Sequence, residues 1–179
     1  KKEQSVVPII QNKQIMLCIF CSRTERTEDT VSSSGNLNNT AVRHKIVVLG
    51  AAKVGKSSLI TQFLYNTFSP KYKRTIEEMH HGDFNVSGVR LTLDILDTSG
   101  AYEFPAMRTL SMQSADAFIL VYDITDQDSF SEVRALRDQI HETKDSTAVP
   151  IVVVGNKVDL AETGDRQVGF KIYCLIIVK

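Results

Sequence analysis

The chain has 179 residues, 42% hydrophobic and 23% charged, enough apolar material for one globular core. Its 21 basic and 21 acidic side chains cancel, which gives no reason to expect a nucleic-acid partner or electrostatic docking on a membrane. Three cysteines, Cys18, Cys21 and Cys174, cannot build a disulfide framework, so a reducing, cytoplasmic compartment is the expectation.

Residues 1–42 read as a disordered N-terminal arm. Thr24 to Thr40 is rich in Ser, Thr, Asn and Glu and has no period that could bury a face. The apolar run from Ile15 to Phe20 falls short of the roughly 18 residues of a spanning helix, and no cleavage site follows it. Cys18-Ile-Phe-Cys21 has C-x-x-C spacing, but a zinc site needs two more ligands and none stands nearby. Acylation of these thiols is the other option, with no more specific signal behind it.

From Arg43 the pattern changes to alternating strands and helices. Ile46 to Leu49 is a short continuous apolar run, expected as a strand buried on both faces. A helix over Ser57 to Asn66 follows, with Leu59, Ile60, Phe63 and Leu64 at helical spacing. Gly82 to Val86 and Val89 to Leu96 read as a hairpin turning at Ser87-Gly88. Phe118 to Tyr122 is a further buried strand. Ser129-x-x-Glu132 reads as a capping box opening a helix with Val133, Leu136 and Ile140. Pro150 precedes a last strand, Ile151 to Val154. This order implies an α/β fold, a mostly parallel sheet with helices on both faces. Ligands of such sheets sit beyond the carboxyl ends of the strands, where Asp97, Asp123 and Asn156 fall.

Between the first strand and the first helix stands Gly50-Ala51-Ala52-Lys53-Val54-Gly55-Lys56-Ser57, followed by Ser58. This is G-x-x-x-x-G-K-[ST] in the strand–loop–helix context it needs. Its backbone N–H groups can turn inward to hold phosphate oxygens, helped by the positive end of the helix. Lys56 would reach the β- and γ-phosphates, and the Ser57 hydroxyl would ligate Mg²⁺. Asp97, at the tip of Leu93-Asp94-Ile95-Leu96-Asp97-Thr98-Ser99-Gly100, suits the same metal, and the Gly100 N–H is free of a side chain and could sense a γ-phosphate. Asp94 lies inside the strand, so it is expected to be solvated or paired across the hairpin. Asn156-Lys157-Val158-Asp159 follows a buried strand. The Asp159 carboxylate can accept from the N1–H and N2 amino group of guanine, while the Lys157 stem covers the base. Adenine offers neither donor, so the expected nucleotide is GTP or GDP. An ATP-dependent P-loop enzyme is the reading that Asp159 disfavours, and displacement of bound GDP by ATP as readily as by GTP would reject the guanine choice.

From about Arg43 to Leu160 these motifs resemble those of Ras-family small GTPases. The phosphate loop, Thr75-Ile-Glu-Glu78, Asp97-Thr-Ser-Gly100 and Asn156-Lys-Val-Asp159 occur in the family's order and spacing. Leu49-Gly-Ala51 and Phe104-Pro-Ala-Met-Arg108 resemble its Rhes/Dexras and Di-Ras branches. The resemblance implies a P-loop NTPase fold, the Ras-like G domain, over residues 43–168. It places Tyr72 over the phosphates and makes Thr75 a Mg²⁺ ligand of the GTP state, so that Lys56, Thr75 and Gly100 serve hydrolysis. Phe68 would pack on the guanine, or be an ordinary apolar anchor at a helix end. Tyr72 to Glu78 and Gly100 to Met112 would be switch loops, held by γ-phosphate and Mg²⁺ and released on hydrolysis. Ile76, Glu77 and Glu78 would face effectors, or form a solvated edge. Exchange factors and activating proteins are the other implied partners of a monomer. A place at the cytoplasmic face of the plasma membrane is also implied, although Cys174 is not in a prenylation position.

Three departures stand out. Ala101 occupies the place of the Gln that orients the attacking water, and Ala52 crowds the approach of an arginine finger. Both imply slow hydrolysis and a GTP-loaded resting state, or an unusual activating protein; a pseudo-GTPase scaffold is the rival reading. The third is residues 169–179, an atypical apolar tail where the family continues with a base-contacting turn and a closing helix. A truncated product with part of one sheet face uncovered is the expectation, with a strand-like Ile172 to Val178 available to the sheet edge.

Overall fold

In the computed structural model, residues 42–86, 88–100, 105–163 and 166–168 are described, together with the backbone of 174–177. The expected arm before Val42 lies outside the described residues, as do Cys18 and Cys21, Ser87, Ala101 to Phe104, and the tail apart from 174–177.

Six strands form one sheet: β1 (Val42–Leu49), β2 (Glu77–Val86), β3 (Val89–Thr98), β4 (Ala117–Asp123), β5 (Ile151–Asn156) and β6 (Cys174–Ile177). Their spatial order is β2-β3-β1-β4-β5-β6. β1 runs parallel to β3 and β4, and β4 parallel to β5. β2 joins β3 antiparallel with Val86 opposite Val89, the register set by the expected two-residue turn, whose Gly88 has φ 90°. β6 pairs antiparallel with β5 at the edge, Cys174 opposite Val154 and Ile177 opposite Ile151.

The central strands are buried on both faces because helices lie on both. Val47 and Leu49 face one side with Leu96, Phe118, Leu120 and Tyr122, against α2 (Pro105–Ser114) and α3 (Gln127–Lys144). Ile46 and Val48 face the other with Leu93, Ile95, Ile119 and Val121, against Ile60 and Phe63 of α1 (Lys56–Tyr65). Burying an aliphatic side chain of this kind contributes about 1.5–3 kcal/mol, so the four strands fix the site at their ends. β1 begins earlier than its apolar run, since Val42 to Lys45 continue the pairing onto Leu91 to Asp94 with polar side chains between. β2 likewise extends back to Glu77, so Glu77 and Glu78 are paired strand residues.

The capping box is corrected. α3 opens at Gln127, capped by the Asp126 side chain, which accepts from the N–H groups of Asp128 and Ser129. Ser129 lies inside the first turn, where its hydroxyl donates to the Asp126 carbonyl at 2.7 Å and accepts from the Asp123 N–H at 3.0 Å. An acid three residues nearer the strand captured the cap first.

Asp94 is paired across the hairpin and beyond it. It accepts from Arg43 of β1 at 2.6 Å and lies 2.6 Å from His81 Nδ1 of β2. The Arg43 hydrogen bond chiefly, with His81 assisting, outweighs partial burial and holds this carboxyl below its ordinary range. Its stabilisation is therefore complete above pH 3.8 and lost as pH falls through the lower folded value. Asp94→Asn is expected to cost about 1 kcal/mol in urea unfolding at pH 7, with the difference shrinking in acid; a constant difference down to pH 2 would contradict this.

Candidate phosphate and base site at the strand ends

The carboxyl ends of β1, β3, β4 and β5 lie side by side, and each carries one part of the predicted constellation. The loop after β1 turns through Lys53 at φ 64° and Gly55 at φ 97° into α1. A side chain at Gly55 would run into the Asn156 amide, so the tight turn and the close β5 loop both require glycine there. α1 has no side-chain cap, in contrast to α3. Its first N–H groups are left for an anion beside the positive end of the helix.

Lys56 folds back over the loop. Its ammonium donates to the carbonyls of Gly50 and Ala51, both at 2.8 Å. Only 6% of the residue is exposed. Burial pulls its pKa down to about 8, while the Asp97 charge works the other way. Ser57 Oγ lies 2.7 Å from Thr75 Oγ1, which draws the loop after α1 onto the phosphate loop. Asp97 is 1% exposed, and its Oδ1 has no hydrogen-bond partner among the described residues. Burial pushes its carboxyl above the ordinary range, against the Ser57 hydrogen bond and the Lys56 charge. Ser57, Thr75 and Asp97 thus form a hard-oxygen set with an unsatisfied buried carboxylate oxygen, chemistry that fits Mg²⁺. Among the described residues no cluster of three His, Cys, Asp or Glu exists, so any metal here takes one carboxylate and hydroxyls.

Gly100 lies against the phosphate loop. A Cβ there would sit 2.6 Å from the Ala51 carbonyl carbon, so only glycine permits the approach. From β5, Asn156 Nδ2 donates to the Val54 carbonyl at 2.8 Å, tying the Asn156-Lys157-Val158-Asp159 turn to the phosphate loop. Asp159 opens a 3₁₀ turn (Val158–Thr163) and is exposed. Phe68 is 69% exposed and anchors nothing in the core, which removes the helix-end alternative. Tyr72 is also exposed, with the Lys53 ammonium 5.8 Å from its ring centre, a contact worth about 0.5–1 kcal/mol.

Two partnerships are not visible in the sequence. Lys53 was one of several loop residues, and its contact with Tyr72 depends on how the loop after α1 folds over. Asp123 was legible as an acid at a strand end, but not as the partner of Lys157, 2.6 Å from its ammonium.

A loop of this form between β1 and α1, on a sheet of this order, defines a Ras-like G domain. The Ras family pattern matches residues 45–172, and the chain belongs to the Ras family. It is 45% identical to "GTP-binding protein Rhes" of Mus musculus over 141 residues, 73% of this chain and 53% of that protein. The Rattus norvegicus protein of the same name gives the same figures. The Homo sapiens protein is 45% identical over 127 residues, 66% of this chain and 48% of that protein. The chain therefore spans about half the length of these relatives.

The raised Asp97 pKa carries a stability consequence. An ionised carboxylate costs stability above its folded pKa and nothing well below 3.8, where both states are protonated. In EDTA without nucleotide, Asp97→Asn is expected to be more stable than wild type by about 1 kcal/mol at pH 7. The gain should vanish in acid; a variant that is destabilised at pH 7 would contradict the account.

Proposed function

We propose that this chain is a guanine-nucleotide switch that binds GTP and GDP with Mg²⁺, hydrolyses GTP slowly, and presents its switch loops to effectors. One observation carries the reading: Lys56, Ser57, Thr75, Asp97, Gly100 and Asn156 come from four separate elements and meet at one loop. The name GTP-binding protein borne by the relatives supports the same choice of ligand.

In this reading the N–H groups of Gly50 to Ser58 and the α1 terminus bind the phosphates, and Lys56 exchanges its two carbonyl partners for phosphate oxygens. Ser57, Thr75 and Asp97 hold Mg²⁺, which supplies charge neutralisation at the transferring phosphate. Gly100 N–H and the Thr75 hydroxyl report whether a third phosphate is present. Without it the loop carrying Tyr72, Thr75 and Ile76 loses a tether, the order–disorder change that effectors read. Asp159 selects guanine through its two N–H donors, with Lys157 and Phe68 against the ring faces. Exchange factors and activating proteins act on the same loops of a monomer. The compartment is the cytoplasm, extending to the cytoplasmic face of the plasma membrane. Among the described residues no helix is long and apolar enough to cross a membrane.

Hydrolysis is slow because the methyl group of Ala101 cannot orient water, and Ala52 narrows the approach to the γ-phosphate. The second reading, a scaffold without turnover, rests on the same two alanines. Single-turnover hydrolysis of γ-labelled GTP separates them: slow phosphate release supports the switch, and none over many hours supports the scaffold. Ala101→Gln is expected to raise the intrinsic rate by about tenfold or more, as a regained water-positioning group should. An unchanged rate would show that the missing Gln does not limit it.

A further inference from the structure

Lys157 stands out in its surroundings. It is a non-glycine residue at φ 64°, directly after β5, with a third of its side chain exposed. A left-handed backbone at a long side chain is unfavourable unless neighbours enforce it. The Asn156 amide is fixed to the Val54 carbonyl, and the Leu160 N–H closes the turn onto the Lys157 carbonyl at 3.0 Å. The far end of the side chain is fixed as well. Its ammonium lies 2.6 Å from Asp123 Oδ2 at the end of β4, the strand next to its own.

Asp123 is built to stay still. Its side chain is 9% exposed, and both oxygens are engaged. Oδ2 faces Lys157, while Oδ1 accepts from the Thr125 N–H at 2.9 Å and the Thr125 hydroxyl at 2.7 Å. Its backbone is clamped too: the N–H donates to Ser129 Oγ at 3.0 Å, and that hydroxyl lies 3.3 Å from the Asp123 carbonyl. Burial works against the charge, yet Lys157 and Thr125 together keep the carboxyl below its ordinary range. Such an acid cannot rotate away from its partner.

We propose that Asp123 is a positioning residue for guanine binding, holding the Lys157 stem stretched between β5 and β4 as a preformed surface for the purine. The inference rests on the guanine-nucleotide reading above and goes beyond it, since it gives Asp123 a role through Lys157, the partner of its Oδ2. Neutralising the ammonium also means that the stem acts by packing rather than by charge. Preorganisation of this kind lowers the release rate, because the side chain loses no further rotamer freedom when the base docks. Thr125 and Ser129 support Asp123 in turn, so the start of α3 is coupled to the base site through one carboxylate.

The test is the release of mant-GDP from the full chain, chased with unlabelled GDP, for wild type, Asp123→Asn, Lys157→Met and the double variant. Asp123→Asn is expected to release about tenfold faster, as for other truncated partners of buried ion pairs. The double variant should release no faster than Lys157→Met alone, because the carboxylate acts through that lysine. A rate for Asp123→Asn within about twofold of wild type, or factors that multiply in the double variant, overturns the inference. If Asp123→Asn does not fold, Thr125→Val takes its place, with about a threefold increase expected from loss of one hydrogen bond and no effect in the Lys157→Met background. Wild type that retains no mant-GDP rejects the guanine reading itself, and the inference with it. Retention with unaltered variant rates rejects the inference alone.

Discussion

A buried ammonium must be satisfied, and the arrangement around Lys56 follows from that demand. The residue is 6% exposed and gives two of its protons to the Gly50 and Ala51 carbonyls, so the loop has to wrap around its own lysine. Its turn through Lys53 at φ 64° and Gly55 at φ 97° is the kind of backbone that gathers N–H groups into an anion-binding concavity. Wrapping also places the Lys56 charge beside Asp97, the most deeply buried acid of the site. Two opposite charges desolvated together, one depressed to about pKa 8 and the other raised, are poorly placed for stability alone. They are well placed for a ligand that brings phosphate to one and a hard cation to the other.

The sheet supplies the rigidity that such a site needs. β1, β3, β4 and β5 are packed on both faces, so their carboxyl ends cannot shift independently. Each loop is then tied to its neighbour by one side chain. Ser57 meets Thr75, Asn156 meets the Val54 carbonyl, and Lys157 meets Asp123. Of these ties, the one to Thr75 joins a long exposed loop, from Thr67 to Ile76, that packs little into the core. A contact on so exposed a loop is the natural place for a ligand-dependent change, whereas the ties to Asn156 and Lys157 join the packed ends of β4 and β5.

Much of this was legible from residue order. Continuous apolar runs marked β1, β4 and β5, a two-residue turn marked the hairpin, and the glycine-lysine-serine loop marked the phosphate cradle. The strands extend beyond their apolar runs because pairing continues through polar residues such as His44 and Lys45, which carry no apolar signal. The start of α3 is ambiguous in the sequence because Asp126 and Ser129 both suit a cap, and only the chain path after β4 decides between them. Asp123 escaped for a different reason. Its partner directly follows the neighbouring strand but lies 34 positions away in sequence (157 minus 123), a relation that only the β4–β5 register reveals. The antiparallel β6 was likewise hidden, since an apolar run specifies a strand without specifying its direction.

The central claim is that these strand ends form one site for one purine nucleotide. Its most direct test is the nucleotide content of the chain purified by gel filtration in Mg²⁺ and then denatured for chromatography. The account predicts close to one guanine nucleotide per chain, retained through the column and released by excess EDTA. A folded chain that carries adenine nucleotide, or none and takes up none when GDP is added, would contradict it.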